Sequence, residues 1–570
     1  MAVFFNGRLL ETPTTASVVN DDAMRNQNLS VGNVLALIGK SAGGEPKTAL
    51  RFGTPAEAKK VLRKGELLEA VLKAFAPSNM TGGPQSIVAV RVNPAIQSSL
   101  VLKDADAADV ITLTSTNYGL GENQIKVRIE DGSVSGKRIT TQLGNDYYAA
   151  DNVGRTAFTV QYTGAEATAT IDVSATAVTL TAGAQPAISI PLTEFATVEA
   201  LVDRINSEAG FAASVEDRSH TKATLNALDF VTGADVKTAP LAVKADLQAI
   251  VDWFNGAGEG FVTAVRADNV GTLPANVPFT FLTGGSDGAT TNADWSDAFD
   301  ALQSVDVQWL TPISGDDAIR AMADTHVHFC SNQLRRERRA IVGTASGTSH
   351  GDAKAAAKML NSDRTSLVHV GHYDYDATGK LVLFEPYMTA AMIAGAFSGV
   401  NPGTPLTNKT LAVRGLEFDV LNPTETDDLI RGGVLCVENT ETGYKVVKSI
   451  STWLVNDNYN RVEQSTGFAL DFVARNVRNA LDELRGAKGN PLALSRAVSI
   501  TDTTLRELAR EEPQGPGVLA GNAESPAYRN IKATLEGDVV RVEFECSPVI
   551  PVNFVLATIY AVPFTGSASA

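Results

Sequence analysis

The chain has 570 residues, enough for two to four hydrophobic cores rather than one. Hydrophobic residues at 44%, charged residues at 20% and a mean hydropathy of -0.01 exclude wholesale disorder. The formal charge of -16, from 64 acidic against 48 basic residues, argues against nucleic acid as a partner, because phosphates are held by basic surfaces.

In chain order, the opening MAVFFNGRLLETP carries no basic segment leading into a long apolar stretch and a small-residue cleavage site, so no secretory signal is expected there. VGNVLALIG, residues 31–39, is a compact apolar run closed by glycine and predicts a buried strand. TPAEAKKVLRKGELLEAVLKAF follows with apolar residues at helical spacing. Thr54 is its N-cap, Pro55 its first helical residue and Gly65 a break. SIVAVRV, residues 86–92, is a second strand, and strand, helix, strand at this spacing predicts a parallel α/β layer.

From residue 96 to 240 the texture changes to Thr, Ala, Val and Gly alternation, as in ATATIDVSATAVTLTA, with one amphipathic helix at TVEALVDRINSEAG. A period of two predicts half-buried antiparallel strands, hence an inserted β-rich surface region of one or two modules. The α/β texture is expected to return at 241 with LAVKADLQAIVDWFNG and to run to about 410, completing a discontinuous core of residues 26–95 and 241–410. Residues 411–549 predict an α+β region with a strand pair, a long helix pattern at 467–484 and later β stretches. Residues 1–25 and 550–570 are set apart as terminal arms. The apolar run 549–564 holds Pro551, Asn553 and Pro563 and suits strands rather than a membrane helix, so no membrane insertion is expected.

Candidate chemistry is sparse. Gly39-Lys40-Ser41 resembles the end of a phosphate-binding loop, but Val34 stands where that motif needs glycine. Ser346, in GTASG, sits one place out of register for a hydrolase nucleophile, and a serine hydrolase is kept only as the alternative from another class. His326, His328, His350, His369 and His372 cluster in sequence, yet residues two apart leave a helix on different sides and no carboxylate or cysteine completes a zinc spacing. Cys330, Cys436 and Cys546 are few and far apart, which predicts free thiols and assembly in a reducing compartment. The Arg335-to-Arg339 run is read as the solvated end of a helix. No catalytic residue, cofactor or metal is expected.

Several stretches together resemble the contractile phage tail sheath family. They are VLALIGKSAGG and FGTPAEAKKVL near the start, FLTGGSDG, WLTPISGDDAIRAMADTHV and PYMTAAMIAGAFSGVNPGTPLTNKT in the middle, and most of the C-terminal third. That third includes STWLVNDNYNRVEQSTGFALDFVARNVRNALDELRGAKGNP, SITDTTLRELAREE and EGDVVRVEFECSPVIPVNFVLATIYAVPF. The sheaths of phage-tail-like bacteriocins share the pattern.

The resemblance implies a structural subunit and not an enzyme. Hexameric rings of it would stack around a tail tube, contract after baseplate triggering and drive the tube through the host envelope. Its implied partners are other copies of the chain, the tail tube protein, and baseplate and tail terminator proteins, with assembly in the bacterial cytoplasm and residence in the virion tail. It also implies arms that add strands to a neighbour's sheet. Val3, Phe4, Phe5 and Leu9 of the first arm and Phe554, Val555, Leu556, Ile559 and Tyr560 of the second are the expected inter-subunit residues, with TPTTASVVNDD as an extensible linker. The helix pattern at 467–484 places Leu470, Val473, Val477, Ala480, Leu481 and Leu484 on one face, leaving Arg475, Arg478 and Asp482 outward. Arg475 and Arg478 are the expected tube contacts.

Overall fold

The structure is a computed structural model that describes residues 3–5, 8–10, 34–216, 227–256 and 258–562. Its centre is a seven-stranded sheet. Six strands run parallel in the spatial order Val434–Leu435, Thr365–Val368, Arg339–Gly343, Trp309–Pro312, Val34–Gly39 and Ser86–Arg91, and Ala49–Phe52 closes the edge antiparallel to the last. Numbered along the chain, the parallel strands lie 2-1-3-4-5-6, a doubly wound order. Every residue of Val34–Gly39, Ser86–Arg91, Arg339–Gly343 and Thr365–Val368 is buried, as strands covered on both faces must be.

One face is covered by the helices Pro55–Leu62, Glu66–Phe75 and Pro386–Gly399, the last buried along nearly its whole length. Asn292–Ala301, Asp317–Asn332, His350–Leu360 and Thr424–Arg431 cover the other. Local signals set the helix ends as expected: the Thr54 side chain accepts from the Glu57 amide, Pro55 opens the first helix, and Gly65 separates it from the second. Gly65 has φ +111, and a Cβ there would stand 3.0 Å from the Ser41 Cα, so the turn needs glycine. Trp309 lies at the centre, stacked on Phe397 with ring centroids 4.3 Å apart.

Strands from Ser99–Lys103 to Val277–Phe281 pair among themselves and build two further cores. The inner one, around Phe158, Ile171, Leu180 and Val198, is nested within the outer one, around Leu113, Ile129, Phe254 and Val262. Here the expected boundary at 240 is corrected. Leu241–Lys244 pairs with Thr156–Tyr162, and the Asp246–Phe254 helix packs into the outer of these cores rather than onto the central sheet. Its Leu247, Ile250, Val251 and Phe254 stripe says that one face is buried, and contains nothing that selects the partner. The boundary at 410 is corrected too: Val434–Leu435 joins the central sheet, and Leu435, Val437, Val446 and Phe468 belong to its core.

The last core is small. Val473, Val477, Leu505, Leu508 and Val518 hold the helices Gln464–Leu481 and Pro491–Leu508 together, and the hairpin Tyr528–Glu536 with Val539–Cys546 lies on the second helix. Among the described residues no helix is long and apolar enough to cross a membrane.

Candidate functional site

The C-terminal hairpin is built from strict alternation. Val540, Val542, Phe544 and Cys546 point to the helix, while Val539, Arg541, Glu543 and Glu545 are exposed. Gly537, at φ +64, makes the turn. The inward residues are only half-buried, because among the described residues the sheet has two strands and both outer edges are unpaired.

After Val549 the backbone leaves this module, and Asn553 is the last described side chain bonded to the fold. Residues 551–562 form no strand within the subunit, and the strand expected of this stretch is one added to a neighbouring copy. Ile550, Val552, Phe554, Val555, Leu556, Ile559, Tyr560 and Val562 are all exposed, Leu556 at 94%. The stretch contains no charged residue and is mostly apolar, so its exposure to water is unfavourable. At the other end Val3–Phe5 pairs antiparallel with Arg8–Leu10, with Val3 opposite Leu10 and Phe4 opposite Leu9. The described residues of the first arm therefore pair with one another in the single chain. The linker TPTTASVVNDD and residues 563–570 of the second arm lie outside the described residues.

Arg475 does not face outward and Arg478 does so only in part, its side chain 34% exposed, and this is the main correction at the site. The helix runs Gln464–Leu481, with Asp482–Leu484 as a separate short turn, and its Arg-bearing side packs against the end of the central sheet. Arg475 is 7% exposed; its Nη1 donates to Asp306 Oδ1 at 2.7 Å and its Nη2 to the Glu337 carbonyl at 2.8 Å. Arg478 donates to the Glu337 carboxylate and, at 2.8 Å, to the Arg335 carbonyl. One turn back, Asp471 takes the Arg339 Nε at 2.8 Å and both Arg364 terminal nitrogens at 3.0 Å. Burial alone would raise the Asp471 carboxyl, but the two guanidiniums override it and hold it below the usual carboxylate range. A Cβ on Gly467 would collide with the Arg339 guanidinium, so the helix can meet the sheet this closely only with glycine there.

Of the Arg335-to-Arg339 run, Arg335 stands exposed just past the helix end as expected, whereas Arg338 and Arg339 are buried and overturn the solvated reading for their part. Arg338 is fully buried and donates to the Leu302 and Val305 carbonyls at 3.0 and 2.8 Å, with His326 Nε2 3.0 Å away. Burial, with Arg338 adding to it, pushes His326 down to about 3 and keeps it neutral as an acceptor. Sequence reasoning missed this network. Its traces were present: Asp471 interrupts the apolar stripe of FALDFV, and Arg338-Arg339 leads straight into a buried strand.

The other candidates are dispersed. Ser346 donates to the Glu417 carboxylate and its amide to Glu385. Lys40 and Ser41 form a strand-ending turn in which the Ser41 hydroxyl donates to the Gly43 carbonyl. His372 is buried against Thr389, His369 lies beside His350, and His328 reaches Ser362. The described residues contain no group of three or more His, Cys, Asp or Glu placed to hold a metal. Cys330, Cys436 and Cys546 are free thiols.

Residues 288–452 match the phage tail sheath protein central domain family. The tail sheath protein of Bacillus phage SP01 is 30% identical over an alignment that spans 99% of this chain and 98% of that one. In fold, the chain is similar to the crystal structure of the sheath tail protein of Listeria innocua, with a TM-score of 0.56, 13% identity and coverage of 92% of this chain and 94% of that one. It is likewise similar to the sheath tail protein of Desulfitobacterium hafniense, with a TM-score of 0.53, 12% identity and coverage of 94% and 100%.

Proposed function

The chain belongs to the phage tail sheath protein family, and on that premise we propose that it polymerises as stacked hexameric rings around a tail tube and contracts to drive the tube through the host envelope. The partners in this reading are further copies of the chain, the tube protein, and baseplate and terminator proteins, with assembly in the bacterial cytoplasm.

One observation carries it: an uncharged, solvent-exposed and mostly apolar segment, residues 550–562, emerges from a module whose two-stranded sheet has edges unpaired among the described residues. Each feature is a liability in an isolated subunit, and a neighbouring copy removes both at once. An added strand of about six residues contributes about six hydrogen bonds, each worth ~1 kcal/mol net, and a ring repeats that link around its circumference. The buried ion network lets such a link pull on the central sheet through the Gln464–Leu481 helix. The two nested β cores, joined to the rest near Ile96 and Ser286, are additions that the central sheet does not need, and they belong on the outside of the cylinder.

Negative-stain imaging of the purified chain tests the reading. Full-length protein should form hollow striated cylinders, and a chain ending at Asn553 should stay a folded, dispersed subunit. Cylinders of normal length from the shortened chain would sink the proposal.

A further inference from the structure

The C-terminal segment is not released all at once. Up to Val549 it is held by backbone: the Val549 amide donates to the Val518 carbonyl at 3.1 Å, and the Thr466 hydroxyl donates to the Val549 carbonyl at 3.1 Å. Pro551 then restricts the path by fixing its own φ. The last anchored side chain is Asn553. Its Nδ2 donates to Glu463 Oε1 at 2.8 Å, and its Oδ1 accepts from the Thr407 hydroxyl at 3.1 Å. From the next residue onward the side chains stand in water, with Phe554 80% exposed.

We infer that Asn553 is the positioning residue of the C-terminal arm: clamped between Thr407 and Glu463, it sets the direction in which residues 554–562 leave the subunit. The inference rests on the reading of those residues as an inter-subunit arm.

The clamp has the properties that this role requires. Glu463 is 0% exposed and stands at the N-cap of the Gln464–Leu481 helix, where the helix dipole favours a negative charge. Lys448 Nζ lies 3.4 Å from the oxygen that Asn553 uses, and Oε2 of the same carboxylate has no partner. Asn553 therefore donates to a buried charge that has few other ways to be satisfied, which makes the bond stronger than an exposed amide contact. Thr407 belongs to the central-sheet side and Glu463 to the helix that carries the C-terminal module. One carboxamide thus ties the departure point to both parts of the subunit. An arm with a fixed base loses less conformational freedom when it finds a neighbour's sheet than one that swings from Val549, so the clamp pre-organises assembly without touching the partner.

The test uses the full chain with Asn553→Asp, which sets a second carboxylate against Glu463 and opens the clamp. The isolated subunit should stay folded with a lowered thermal midpoint, because the buried Glu463 loses its donor, while the protein concentration at which cylinders appear should rise about tenfold. Combining Asn553→Asp with Glu463→Gln restores an amide-to-carboxylate bond in the reversed sense and should return that concentration to within about twofold of the parent. Thr407→Val, which removes only the hydroxyl donor, should raise it about threefold and serves if the aspartate variant misfolds. If the chain ending at Asn553 fails to assemble yet Asn553→Asp and Thr407→Val assemble as the parent does, the positioning role is overturned and the arm stands. An unrescued double variant also overturns it. Normal assembly of the shortened chain removes arm and clamp together.

Discussion

The central sheet and the C-terminal hairpin are both β-structure covered by helices, yet they differ in how far the chain completes them. Seven strands with helices on both faces leave the central sheet almost no exposed apolar surface. The hairpin has two strands, half-buried inward residues and a small core behind it. A finished element gains all its stability from its own chain, whereas an unfinished one keeps part of its burial for contacts the chain cannot make alone. The difference separates what should respond to mutation in the subunit from what should respond only in an assembly.

The strongest challenge to that contrast is the joint between the two regions. Asp471→Ala strands the buried Arg339 without its carboxylate and should cost about 3–5 kcal/mol in urea unfolding of the subunit. A loss below about 1 kcal/mol would mean that the network does not hold module and sheet together. Within the finished region, Trp309→Ala removes the ring stacked on Phe397 and should cost about 3–5 kcal/mol in the same measurement. In the unfinished region, Leu505→Ala should fall near 2 kcal/mol, the low end for a buried leucine, because a small core with open edges can relax around the gap. Equal losses at the two sites would erase the contrast.

Acid should also distinguish them. Burial pushes the His372 imidazole down to about 3, against 6.5 in an exposed chain. Above pH 6.5 both folded and unfolded states are neutral, so stability does not depend on this group. Below it the unfolded chain binds a proton that the folded chain refuses, and stability falls as pH drops from about 6.5 towards 3. The slope is about 1.4 kcal/mol per pH unit for each such histidine. All six histidines precede residue 373, so this softening belongs to the central sheet and the regions before it, not to the C-terminal module. His372→Gln should flatten the curve of unfolding free energy against pH by that slope; an unchanged curve would show that the imidazole is not kept neutral by the fold.

The smallest effect is expected at the exposed arm. Leu556→Ser should change subunit stability by less than about 0.5 kcal/mol, since the side chain is 94% exposed. The same substitution should reduce cylinder formation, and a matching loss of subunit stability would place Leu556 inside the fold rather than beyond it.

Much of this architecture was legible beforehand, because it follows from local physics. Apolar runs closed by glycine, the Thr54 cap with Pro55, and the break at Gly65 act within a few residues of chain, so strands and helices of the central layer could be placed from letters alone. The absence of charge from 550–562 was equally plain. What pattern could not supply was the partner of each buried face. The Leu247-to-Phe254 stripe packs against the outer β core instead of the central sheet, and Val434–Leu435 crosses into that sheet from beyond its expected end. Charges misled for the same reason. Arg475 at an apparently outward position and Arg338-Arg339 in a basic run resemble surface residues in sequence, because a guanidinium is tolerated in the interior only when distant carboxylates and carbonyls meet it there. Asp306, Glu337 and Asp471 are far from one another along the chain, and only the tertiary structure brings them to the arginines they neutralise.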